Sequence, residues 1–69
     1  MTESLGDALP RKMAEIRDVY IPAYESVGPA GQFAIAMMKR DLDRAARALA
    51  AGDAVEMLVV YRKLEEYSL

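Results

Sequence analysis

The groups able to do chemistry in this chain are arginines, tyrosines, hydroxyls and carboxylates, because it has no histidine and no cysteine. The commonest general base and the thiol nucleophile are therefore missing. Ser4, Ser26 and Ser68 lack the Gly-x-Ser-x-Gly setting that presents a nucleophilic hydroxyl on a sharp turn. Gly28 and Gly31 are too sparse to form a phosphate-cradling loop. Asp41 and Asp43 stand two apart, a spacing that sends helical side chains to different sides. Glu65 and Glu66 fall in a solvated tail. Nothing here selects an enzyme. With carboxylates as the only charged metal ligands, neither a metal nor another cofactor is expected.

Recognition is a better use of these residues. Arg40, Arg44 and Arg47 recur at steps of four and three and so share one helical face. One reading is a solvated face laced with local ion pairs, Asp43 to Arg47 and Asp41 to Arg44. The other is a strip that grips acids or phosphates, for which the guanidinium fork is well shaped. Phe33 and Met37, one turn apart near the glycine loop, read either as an exposed apolar anchor, since methionine adapts to varied partners, or as core filling. Met13 and Met38 lie on apolar stripes and read as core. Tyr20 and Tyr24 flank Pro22, and tyrosine, with its apolar body and polar tip, suits interfaces. Tyr20 reads as helix packing. The expected partner-binding set is thus Tyr24, Phe33, Met37, Arg40, Arg44 and Arg47.

These side chains need helices to hold them. Gln32–Ala51 is the longest stretch without Gly or Pro, and Ile35, Met38, Leu42, Ala45 and Leu49 mark one buried face along it. The spacing predicts a helix over about 30–51, ended by Gly52 as a left-handed cap. Asp53 with Glu56 resembles a capping box that opens a last helix over about 54–67. A connection this short makes the two helices antiparallel neighbours. Upstream, Leu9, Met13, Ile16, Tyr20, Tyr24 and Val27 form a third stripe, over about 8–27, with Asp7 as N-cap and Pro10 in the first turn. Pro22 should kink this helix near Tyr20–Ile21, or stop it and restart it. Gly28-Pro29-Ala30-Gly31 then breaks the chain direction. The expected fold is all-α: an antiparallel helical hairpin with an added, kinked N-terminal helix, in one domain.

Sixty-nine residues bury only roughly 60% of their unfolded surface, so such a core is marginal. Without disulfides or metals, association is the remaining support. The last helix carries apolar residues on more than one face. Val55, Leu58, Val59, Tyr61, Arg62 and Leu64 are the expected interface of a homodimer, the alternative being that the first helix covers them. The net charge of −2 offers no general attraction to nucleic acid or anionic lipid, so neither nucleic acid nor membrane is an expected partner. No run is long enough to span a bilayer and the N-terminus does not read as a signal peptide, which points to the cytoplasm.

The segments IPAYESVGPAGQFAIAMMKRDL and ALAAGDAVEMLVVYRKLEEY resemble the small helical proteins encoded early in Mu-like phages of pseudomonads, in particular the phage quorum-sensing anti-activators. The likeness lies in length, helix layout and character over most of the chain. It implies a helical-hairpin dimer in the host cytoplasm that binds a LuxR-type transcription regulator and the type IV pilus assembly ATPase, inhibiting both by occupancy. Another class of phage hairpin protein sequesters cyclic nucleotide signals of bacterial immunity. In that reading the three arginines hold phosphates and a tyrosine stacks a base. The hairpin lacks a phosphate cradle for this role. A small transcription regulator is a third option, for which no basic recognition helix is visible.

Overall fold

The computed structural model describes residues 3–69. They form helices only, with no strand among them. Helix α1 spans Leu5–Glu15, a five-residue π-helical turn spans Ile16–Tyr20, and α2 spans Ile21–Glu25. A 3₁₀ turn, Gly28–Gly31, leads into α3, Gln32–Ala51, and α4 covers Ala54–Glu65.

The N-terminal helix starts earlier than Asp7. Ser4 is the N-cap, its hydroxyl oxygen accepting from the Asp7 amide at 3.2 Å and donating to the Asp7 carboxylate at 2.8 Å. Asp7 thus occupies the third helical position, where a carboxylate answers the cap. Pro10 consequently lies inside α1, on its exposed side, instead of in its first turn.

Pro22 does not stop the helix. Its ring removes one N–H and crowds the carbonyl four residues before it. The backbone answers with one wide turn, the Ile21 amide reaching back to the carbonyl of Ile16. The helix therefore stays continuous from Leu5 to Glu25, and Pro22 sits at the start of α2, where a missing donor costs little. The wide turn also rotates the buried stripe, so that Ile21 joins Leu9 and Ile16 in the core. Val27 lies beyond the end of α2 and is exposed, leaving the stripe at Tyr24.

Three glycines are required where they stand, Gly28 among them at φ +74°. Gly52 has φ +64° and ends α3, its amide reaching the carbonyl of Leu49. Gly31 is buried against the second helix, and a Cβ there would collide with the Tyr24 carbonyl. It lets the start of α3 approach α2 closely. Asp53 caps α4 by accepting from the Glu56 amide at 3.1 Å.

The helices pack α1 on α4, α2 on α3 and α3 on α4. Leu9, Ile16, Ile21, Ile35, Met38, Ala45, Val60 and Leu64 form the core, with Met13, Tyr20, Leu42, Leu49 and Met57 half-buried around it. The molecule measures 37 × 25 × 16 Å. Helices α3 and α4 each keep an exposed face, with Phe33 and Arg47 on the first and Val55 and Val59 on the second.

Candidate functional site

The side of α3 turned away from its core stripe gathers five of the six expected partner-binding residues. At 3.6 residues per turn, Phe33, Met37, Arg40, Arg44 and Arg47 fall along one line of the helix. Phe33 heads it and is 78% exposed, the most exposed large apolar residue in the described structure. Met37 is half-buried, and the three arginines are exposed. Tyr24 is on α2, half-buried, with its hydroxyl donating to the carbonyl of Ser68 at 2.5 Å. It belongs to a neighbouring feature, not to the α3 line.

The arginines are differently engaged. Arg47 pairs with Asp43 at 2.8 Å, one turn away on the same helix. Arg44 does not pair with Asp41. It reaches across to Glu56 of α4, and this contact with its carboxylate holds the guanidinium above its ordinary pKa. Arg40 forms no ion pair among the described residues.

Asp41 is unavailable to Arg44 because it points inward, only 1% exposed. The Tyr67 hydroxyl donates to its Oδ2 at 2.6 Å. Burial pushes the Tyr67 phenol well above its ordinary pKa of 10, and the hydrogen bond to Asp41 and its charge push it further. A buried carboxylate is costly unless it receives hydrogen bonds, so this pair fixes where the chain after α4 crosses α3. Tyr67 and Tyr24 together tie down the segment 66–69, the first onto α3 and the second onto α2. Ala23, Tyr24, Val27 and Leu69 line an almost wholly apolar groove of about 250 Å³ beside it.

The sequence pattern contained a signal for Asp41. It stands three after Met38 and four before Ala45, both fully buried, so it lies on the core line. Its partner, on a segment beyond the last helix, had no such signal.

On α4 the six expected interface residues divide. Leu64 is fully buried within the single chain and belongs to its core, not to an outward face. Tyr61 is half-buried and, with Ala8, Arg11, Lys12 and Glu15, lines a pocket of about 230 Å³ between α1 and α4. The reason is the continuous N-terminal helix, which brings α1 over this side of α4. Val55, Leu58 and Val59 remain outward, 76%, 44% and 45% exposed, with exposed Arg62 in line. Val60 and Leu64 face the opposite way.

Among the described residues, no cluster of three or more His, Cys, Asp and Glu side chains has the arrangement to hold a metal ion. No described helix is long and apolar enough to cross a membrane. Comparison of the chain with protein-family models, with curated proteins and with solved structures finds no match.

Proposed function

We propose that this protein is a non-catalytic binding module that inhibits its targets by occupying their surfaces. The observation that carries this reading is Phe33, almost fully exposed at the head of a line of arginines on α3. An aromatic anchor followed by guanidinium groups suits a protein surface that offers an apolar pocket with carboxylates beside it. The α3–α4 pair forms a helical hairpin in this reading, and two such hairpins associate through the outer face of α4.

The resemblance to phage quorum-sensing anti-activators supplies the targets: a LuxR-type transcription regulator and the type IV pilus assembly ATPase of the host, met in its cytoplasm. Binding to the regulator would block its DNA-binding or dimerising surface. The cyclic-nucleotide reading is weaker, since Arg44 and Arg47 already pair with Glu56 and Asp43 and would have to exchange carboxylates for phosphates.

The test is binding of the purified protein to a purified LuxR-type regulator and to the pilus ATPase, by calorimetry, with Phe33→Ala and the Arg44→Ala/Arg47→Ala pair as variants. Saturable binding that Phe33→Ala weakens tenfold or more is expected. Binding to neither protein would remove these targets. Unchanged binding by both variants would remove the α3 line as the contact.

A further inference from the structure

The pocket between α1 and α4 shares no residue with the α3 line. Ala8, Arg11, Lys12, Glu15 and Tyr61 line it, around about 230 Å³. Pockets for drug-sized molecules run to about 300–1,000 Å³, so this one suits a smaller molecule. Its charges are uneven. Arg11 and Lys12 bring two cations against the single carboxylate of Glu15, on a protein whose net charge is −2. We infer that this pocket binds a small monocarboxylic acid with a flat apolar body, the carboxylate held by Arg11 and the body lying beside Tyr61.

Arg11 already grips a carboxylate. Its Nη1 donates to Oε2 of Glu3 and its Nη2 to Oε1, the two parallel bonds by which a guanidinium fork matches a planar carboxylate. Glu3 precedes α1 and is not part of the pocket lining, so it holds Arg11 from outside. The pair is exposed on both sides, 69% for Arg11 and 36% for Glu3. Such pairs contribute little to stability, so exchanging Glu3 for the carboxylate of a ligand costs little. The incoming acid neutralises Arg11 as Glu3 does, and Glu3 returns to water. The single excess positive charge of the lining fits a monoanion better than a doubly charged phosphate.

Lys12 and Glu15 form a fixed polar wall. The Lys12 ammonium donates to Glu15 Oε1 at 2.9 Å and lies 5.7 Å from the centre of the Tyr20 ring. The hydrogen bond to Glu15, foremost, raises the Lys12 pKa above its ordinary value, so this lysine stays charged. Its side chain is only 19% exposed, and its field is screened less than that of Arg11. Opposite charge on Glu15 keeps it in place when the Arg11 partner changes. Ala8 and Tyr61 are half-buried and supply the apolar part of the lining, a methyl and an aromatic ring.

Benzoate is the probe, titrated into the full chain and followed by NMR at the Ala8 methyl and the Tyr61 ring, with benzamide as its uncharged counterpart. Arg11→Ala and Glu3→Gln, both at exposed positions, are titrated alongside after a check for unchanged helicity. The expected result is saturable shifts at Ala8 and Tyr61, with affinity at least about tenfold lower for benzamide and for Arg11→Ala. Glu3→Gln should bind benzoate about two- to fivefold more tightly than the parent, because it removes the carboxylate that competes for Arg11. Absence of saturable shifts in both the parent and Glu3→Gln would overturn the site. So would affinity that Arg11→Ala leaves unchanged, benzamide bound as well as benzoate, or shifts centred on Arg40 and Arg44 instead. Equal affinities of the parent and Glu3→Gln would overturn the exchange with Glu3.

Discussion

The two sides of α4 carry nearly the same chemistry and meet opposite fates. Val60 and Leu64 are fully buried against the other helices, whereas Val55, Leu58 and Val59, on the same twelve-residue helix, look outward. Aliphatic residues on a single stripe are explained by folding, because one stripe is what a small helical domain can cover. A second stripe of the same kind on the far side exceeds what the fold consumes, and exposed apolar continuity of this sort marks an interaction surface. The difference teaches that one helix can carry both a stripe the fold covers and a stripe it leaves exposed. Composition alone does not separate the two; the position of α1 does.

The largest effect that separates the two sides should come from truncating each. Leu64→Ala removes a fully buried side chain and should cost about 2–5 kcal/mol, enough to unfold much of so small a domain. Val59→Ala should leave the dilute protomer within about 0.5 kcal/mol of its parent while weakening self-association. Urea denaturation followed by circular dichroism, at low and high protein concentration, measures both. Similar losses from both substitutions in dilute solution would break the distinction.

Gly31→Ala tests whether the covered side depends on close approach of α2 and α3. Collision with the Tyr24 carbonyl should destabilise the fold by about 1–3 kcal/mol, seen as a lower urea midpoint. The outer face of α4 should be untouched by it.

A third prediction concerns the inner polar pair. Tyr67→Phe deletes the donor to buried Asp41 and should cost about 1–3 kcal/mol. It should also alter the alkaline limit. The folded state raises the Tyr67 pKa above its ordinary 10, so the protein holds this proton more tightly than the unfolded chain does. That contribution is complete below pH 10 and is lost as pH rises from there through the folded-state pKa. Stability of the parent should therefore fall with a steeper slope above pH 10 than stability of Tyr67→Phe. Equal slopes in alkaline urea titrations would show that Tyr67 is not held this way.

The smallest effect belongs to Arg47. Its ion pair with Asp43 is exposed on both sides, and such pairs contribute little. Arg47→Ala should leave the urea midpoint unchanged. Any loss it causes in binding a target then reports on the contact and not on the fold.

Much of this organisation can be read from residue spacing. The stripe of α3, Gly52 as a left-handed terminator and Asp53 as a cap are local features, set by helical period and backbone chemistry. The alignment of Phe33 with Arg40, Arg44 and Arg47 follows from the same period. What spacing does not convey is tertiary. The π-helical turn before Pro22 is a compromise between a missing donor and continued packing of Ile16 and Ile21, and two other solutions were open to the same residues. Leu64 and Tyr61 read as outward because the place of α1 depends on that turn. Asp41 follows its stripe inward, although its type argues for water, because Tyr67 arrives from a segment beyond the last helix to meet it.

The claim on which this account turns is that the outer side of α4 is a contact surface. Sedimentation equilibrium of the parent and of Val59→Asp, at several concentrations and with helicity checked, tests it most directly. The account predicts that the parent approaches twice the protomer mass with rising concentration while Val59→Asp stays monomeric and helical. A parent that stays monomeric throughout, or a variant that dimerises as well as the parent, would contradict it.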